Sequence, residues 1–260
     1  MDPCELALAV LRALHTGGVR DVVLSPGSRS APFALALYGA HVAADLRLHV
    51  RLDERSAGFT ALGLSIGSHR PVAVVTTSGT AVGNLLPAVM EAHHSGRPLI
   101  VVSADRPDRL RGTGANQTTE QAGIFGGFAP CEDLRQGTDP AVVAQAALAA
   151  CARTGPTQLN IQLDGLLVPT GAPWWPGADP QVEGAIAAPG RRRPTVTTVL
   201  GSGPRTVVVA GDDAGPAARL LAEKAQWPLL AEPTSGARAG PAAIRTYRLL
   251  LGTHLRAQIE

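Results

Sequence analysis

A doubly wound parallel α/β sheet is what this 260-residue sequence predicts, and three observations predict it. Short apolar runs recur along the first 165 residues, at Asp21–Leu24, Pro71–Thr76 and Pro98–Ala104, and stretches with helical apolar spacing separate them. That alternation makes neighbouring strands parallel. The runs from Pro71 and Pro98 are continuous and β-branched, as expected of strands covered on both faces. Hydrophobic residues make up 45% of the chain and aromatics only 3%, so the core must be built from Ala, Val and Leu. We divide the chain into an α/β domain over 1–165, a linker over 166–204, and the start of an incomplete second α/β domain over 205–260.

Pro3 to His15 reads as a helix, with Leu6, Val10, Leu11 and Leu14 on one face and Gly17-Gly18 ending it. The strand Asp21–Leu24 leads into Ser25-Pro26-Gly27-Ser28-Arg29-Ser30, a turn rich in donors and suited to an anion, before a helix from about Pro32 to Tyr38. Leu48, Val50 and Leu52 then alternate with His49 and Arg51 at the strand period. This strand delivers Glu54 to the mouth of a helix running to about Gly67, whose Ala57, Ala61, Leu62, Ser65 and Gly67 allow close packing on a sheet. Taken alone, Asp53-Glu54 need only complement that helix's dipole. After Pro71–Thr76, Thr77-Ser78-Gly79-Thr80 turns into one helix ending near Ser95-Gly96.

The strand from Pro98 ends the regular rhythm. Asp105 to Thr119 is a long polar loop carrying Arg106, Arg109, Arg111, Asn116 and Gln117, and loops of this length are usually functional. A short helix over Glu120–Phe125, a strand near Ala129–Leu134, a helix from Asp139 to Thr154 and a strand from Gln158 to Leu163 complete the domain. The linker shifts to Pro, Gly, Trp and Arg without periodicity, including Pro173-Trp174-Trp175-Pro176 and Arg191-Arg192-Arg193. Its tryptophans read as surface packing. A strand from Arg205 to Ala210, a helix to about Gln226, a strand from Pro228 to Ala231 and a helix from about Pro241 begin a second unit. That unit lacks the strands for a sheet, so the chain is expected to be part of a longer protein.

Composition excludes several classes. Lys+Arg of 23 against Asp+Glu of 21 leaves +2, without the basic stripe that nucleic acid requires. Three cysteines, Cys4, Cys131 and Cys151, have neither zinc spacing nor the even count of a disulfide framework, which fits a reducing cytoplasm. No apolar run reaches membrane-spanning length, so no membrane insertion is expected. His93-His94 has no partners at metal-ligand spacing, and no metal is expected on this chain. Ser28 and Ser78 lack the G-x-S-x-G setting of a hydrolase nucleophile.

Each polar loop is weak evidence singly. Together, the strings S-P-G-S-R-S, R-L-D-E-R-S-A-G, T-S-G-T-A-V-G-N, S-A-D-R-P and G-T-G-A-N-Q-T resemble the pyrimidine-binding (PYR) domain of thiamine-diphosphate enzymes. Within those enzymes they resemble the menaquinone-pathway family of 2-succinyl-5-enolpyruvyl-6-hydroxy-3-cyclohexene-1-carboxylate synthases. The resemblance is dense from about Leu6 to Leu163 and only topological after Arg205. It implies that Glu54 is the glutamate that bonds N1′ of the cofactor's aminopyrimidine and relays protons through it. Ser78, Gly79 and Thr80 match positions beside the cofactor. Ser28, Arg29, Arg106, Asn116 and Gln117 match positions for isochorismate, with the arginines on its carboxylates and the amides orienting its ring. Arg109 and Arg111 match nothing and are expected to be solvated.

The implied reaction joins 2-oxoglutarate to isochorismate with loss of carbon dioxide, in a cytoplasmic homo-oligomer whose sites form between subunits. The resemblance also implies that a further C-terminal domain holds the diphosphate and its Mg²⁺ or Mn²⁺ through a G-D-G motif. Gly211-Asp212-Asp213 is not that motif and reads as a strand-to-helix turn, so this piece alone is expected to bind thiamine diphosphate poorly and to turn over little. An acetolactate synthase or decarboxylase of the same superfamily, or a non-catalytic binding module, are the alternatives.

Overall fold

The structure is a computed structural model that describes residues 1–168, 175, 198–201, 206–254 and 257. It divides into two compact units, Met1–Arg192 and Arg193–Glu260. No described helix is long and apolar enough to cross a membrane.

The first unit contains six strands, β1 (Asp21–Leu24), β2 (Arg47–Val50), β3 (Val72–Thr76), β4 (Leu99–Asp105), β5 (Cys131–Arg135) and β6 (Thr157–Gln162). They form one sheet in the order β2-β1-β3-β4-β6-β5, with every neighbouring pair parallel. Helices α1 (Pro3–Thr16), α2 (Ala31–Val42), α3 (Glu54–Ser68), α4 (Thr80–Gly83), α5 (Leu86–His94) and α6 (Pro140–Ala152) cover it. One core joins Leu6, Leu11 and Leu14 of α1 to Phe33 and Leu37 of α2, Ala147 of α6 and the sheet residues Val22, Val75 and Ile161. The other joins Ala57, Ala61 and Leu62 of α3 to Val82, Leu85, Val89 and the sheet residues Val23, Val74 and Val101. Two covered faces explain why β1, β3 and β4 are buried at every position.

Local chemistry sets the boundaries. Asp2 caps α1 through the amides of Cys4 and Glu5, and Glu5 reaches back to the Asp2 amide, which closes a capping box. Asp53 caps α3 by accepting from the Ser56 amide at 2.7 Å. The single helix expected from Thr80 is two, α4 and α5, and Pro87 supplies the reason. It has no N–H to return to the carbonyl of Gly83, so the helix breaks and restarts at Leu86. The helix expected over Glu120–Phe125 is absent. Turns occupy 122–125 and a 3₁₀ turn follows at Gly126–Phe128, because Gly123 and Gly126 sit at φ +74° and +54°. Leu52, expected in the second strand, lies beyond its end and is 85% exposed.

In the second unit, β7 (Val208–Ala210) and β8 (Leu229–Ala231) pair in parallel across α7 (Pro216–Ala225), around Ala210, Ala222, Leu229 and Ala231. The helix expected from Pro241 does not begin there. Ala243 bridges to Leu229, and the α-helix among the described residues there is Tyr247–Leu251 (α8). Gly211-Asp212-Asp213 is the turn between β7 and α7. The linker over 166–204 lies largely outside the described residues, as do Trp174 and Arg191–Arg193. Trp175 is described: it is 8% exposed and donates to Asp45 at 2.7 Å.

Candidate cofactor and substrate site

In an open parallel sheet, ligands bind beyond the carboxyl ends of the strands where the winding direction reverses. Here the chain goes from β1 out to β2 and returns across β1 to β3, so the reversal lies between β1 and β3. The turns 25–30 and 77–80 meet at that point. Their approach is close enough that a Cβ on Gly27 would lie 2.5 Å from the Thr77 side chain. The Ser25 amide donates to the Val75 carbonyl at 2.9 Å. Ser25 Oγ, Thr76 Oγ1 and Arg29 Nε are buried there without a hydrogen-bond partner in the protein. Buried polar atoms are paired as a rule, so this end of the sheet has donors to spare for a polar ligand.

The long loop after β4 closes over the second turn. Arg106 donates to Ser78 Oγ at 2.7 Å, and Ser78 Oγ donates to the Gln117 carbonyl at 2.9 Å. The Gln117 side chain returns to the Ser78 carbonyl at 2.8 Å. Gln117 itself adopts φ +58°, an uncommon conformation held by these two bonds. Gly79 has φ +84°, and a Cβ there would meet Gln117 Cγ at 2.9 Å, so only glycine fits beneath the loop. Arg29 donates to the Leu163 carbonyl at 2.8 Å. Burial and the charge of Arg106 lower the pKa of its guanidinium, while Asp164 and Asp105 act to raise it. Two cations are thus held near each other, an arrangement that suits carboxylates. Ser28, Asn116 and Thr80 are exposed on these same loops.

Glu54 is the first residue of α3 and is partly buried. Its carboxylate accepts from Asn84 Nδ2 at 3.4 Å, a long contact that leaves acceptor capacity. Asn84 caps α4, so the same helix begins at Thr80 and ends beside Glu54. The structure therefore joins Ser78, Arg106 and Gln117 directly, brings Arg29 electrostatically close to Arg106, and links Glu54 to α4 through Asn84.

Arg111 corrects the expectation of solvation. Its guanidinium donates to Asp105 at 2.7 Å and to Asp133 at 2.9 Å, with its side chain only 19% exposed. The reason is Asp105, a carboxylate with no exposure at the end of β4, which requires a charged partner. Asn160 donates to both carboxylates, at 2.9 and 2.7 Å. Burial would raise the Asp133 pKa, but hydrogen bonds from Arg111, Asn160 and Gln162 outweigh it and lower it. Arg109 pairs with Asp164 at 2.8 Å and stays 61% exposed. Asn84 and Arg111 are the residues beside these loops to which sequence reasoning assigned no role. The available signal was Asp105, one carboxylate closing an apolar strand.

The comparisons with known proteins meet this geometry at the same loops. Residues 5–124, which carry every proposed site residue, match the family described as "Thiamine pyrophosphate enzyme, N-terminal TPP binding domain". The chain is 54% identical over 98% of its length to the 2-succinyl-5-enolpyruvyl-6-hydroxy-3-cyclohexene-1-carboxylate synthase of a Nocardioides species, covering 44% of that protein. It is 50% identical over 95% of its length to the synthase of the same name from an Arthrobacter species, covering 43% of it. The corresponding figures for Mycobacterium avium are 43% identity, 94% of this chain and 48% of the relative. The chain thus spans less than half the length of the curated relatives it matches. The matched residues carry β1 to β4 and the loop through Ile124.

Proposed function

We propose that this chain is the pyrimidine- and acceptor-binding part of a thiamine-diphosphate-dependent synthase that joins 2-oxoglutarate to isochorismate, with loss of carbon dioxide, in menaquinone biosynthesis. The observation that carries the reading is that Glu54, Arg29 and Arg106 lie on segments that follow β2, β1 and β4, at the carboxyl ends of parallel strands of one sheet. Thiamine diphosphate, when bound, supplies a carbon nucleophile that adds to a 2-oxo acid and accepts the electron pair released with carbon dioxide. Glu54 fits its pyrimidine end, because the carboxylate has acceptor capacity to spare and can hold a proton at N1′. Ser78, Gly79 and Thr80 would contribute to holding that end of the cofactor, and the absence of a side chain at Gly79 keeps the turn low.

Ser28, Arg29, Arg106, Asn116 and Gln117 take the acceptor. Arg29 and Arg106 pair with the carboxylates of isochorismate, and the two amides orient its ring. We assign the diphosphate and its Mg²⁺ or Mn²⁺ to the part of the relatives' length that this chain does not span. We assign the exposed Val50, Leu52 and Phe59, which flank Glu54 in sequence, to contact with a second subunit of a homo-oligomer. A cytoplasmic setting suits three free cysteines.

The test uses a polypeptide of the relatives' full length that carries this sequence. Product should form from isochorismate and 2-oxoglutarate with thiamine diphosphate and Mg²⁺. A charged hydrogen bond contributes roughly 1.5–3 kcal/mol, so Arg29→Ala should raise the isochorismate KM by roughly 10- to 100-fold. An unchanged KM and kcat would remove Arg29 from the acceptor site. Turnover of pyruvate in place of 2-oxoglutarate would move the reading to the acetolactate type.

A further inference from the structure

Gln121 carries no role in the site as assigned above, yet it is fully buried and its side chain reaches the turn at the centre of that site. Its Oε1 accepts from the Gly79 amide at 3.0 Å. Its Nε2 donates to Asn160 Oδ1 at 2.9 Å and to the Ala104 carbonyl at 3.3 Å. The amide can therefore adopt one orientation only, since a flip would set its oxygen against two acceptors and its nitrogen against a donor. Asn160 is fixed in turn, donating to Asp105 and Asp133 and accepting from Ser103 at 2.9 Å. A chain of fully satisfied buried polar groups thus runs from the interior of the sheet to one peptide N–H.

That peptide controls the rest of the turn. The Ser78 carbonyl and the Gly79 N–H belong to the same planar unit, and the carbonyl accepts from Gln117 while the N–H is gripped by Gln121. Rotating the unit would release the Gln117 amide and shift Ser78 Oγ, on which Arg106 rests. We propose that Gln121 is a positioning residue: its buried amide sets the Ser78–Gly79 peptide plane and through it the placement of Gln117 and Arg106 for the acceptor. The inference rests on the assignment of those two residues to isochorismate.

Gln158 supplies the control. It belongs to the same buried network, donating to Ser103 Oγ at 3.0 Å and to the Gln121 carbonyl at 2.8 Å, but it does not touch Gly79. Gln121→Met and Gln158→Met each remove one buried amide while keeping its volume. Gln121→Glu, in its protonated form, retains an acceptor for the Gly79 N–H and one donor toward Asn160. Amide hydrogen exchange in the 260-residue chain should be at least tenfold faster at Gly79 in Gln121→Met than in Gln158→Met, compared at equal global stability. Gln121→Glu should restore slow exchange at a pH low enough to protonate the buried carboxyl, and under that condition the Gln117 side-chain amide resonances should move only in Gln121→Met. In the full-length polypeptide, Gln121→Met should raise the isochorismate KM about tenfold without changing that of 2-oxoglutarate.

Equal effects of the two methionine variants on Gly79 exchange and on KM would make Gln121 purely structural and overturn the proposal. If Arg106→Ala raises the isochorismate KM and Gln121→Met does not, the positioning role is wrong and the site stands. If neither raises it, the site assignment is wrong and the proposal falls with it.

Discussion

Arg111 is a side chain whose loss the first unit should tolerate poorly. Removing one partner of a buried ion pair leaves the other charge uncompensated, at a cost of about 3–5 kcal/mol. Arg111→Met should therefore lower stability by about that amount in urea titrations. Arg109→Met, which removes an exposed pair, should change it by less than about 1 kcal/mol. Asp133 adds a pH dependence. Its carboxyl titrates lower in the folded than in the unfolded chain, so its contribution is present above the unfolded value, about 3.9, and is lost as pH falls through the lower folded value. Urea midpoints should drop on acidification below about pH 4, and Asp133→Asn should flatten that drop. Burial pushes the Cys151 thiol up to about 12, so it should resist thiol reagents at pH 8 until the chain is unfolded. Arg111 and Gln121 were not legible from sequence. An arginine in a polar loop looks solvated, and nothing local reveals that Asp105 and Asn160 wait for them inside the sheet.

At the level of elements, β1, β3 and β4 were legible because apolar runs bounded by turn residues have few other uses in a chain this rich in Val and Ala. Strand β6 was harder to read for its burial. Gln158, Asn160 and Gln162 alternate with Leu159 and Ile161, a pattern that suggests one wet face, yet every position is buried. Those polar residues face partners in Gln121, Asp105 and Asp133, so satisfaction by side chains substitutes for water. The missing helix at 120–125 follows from the same contact: Gln121 is used by the network, and the glycines at 123 and 126 take left-handed conformations. The turn it supports makes a further prediction. Gly79 lies at φ +84° and ψ −141°, a region that side chains rarely enter at a cost below about 1–3 kcal/mol. Gly79→Ala should lose at least that much stability and displace Gln117, which the Gln117 side-chain amide resonances would report.

For the whole molecule, the parallel neighbours β2, β1, β3 and β4 carry four loops, distant in sequence, at their carboxyl ends, and that end of the sheet is where the charges and amides lie. The loops were legible as a set because each follows a parallel strand, so the sheet's topology alone places them together. The rest of the relatives' length could not be read here, since they extend over more than twice the length of this chain. Glu54 is proposed to drive proton transfer through the cofactor's pyrimidine. The most direct measurement is the rate at which the thiazolium C2 proton of thiamine diphosphate exchanges with deuterium on the full-length polypeptide, compared with Glu54→Gln at saturating cofactor. General acid–base catalysis typically contributes about 10²–10⁴-fold, and a loss of that size is the predicted result. An exchange rate unchanged in Glu54→Gln, with the cofactor bound, would contradict the account.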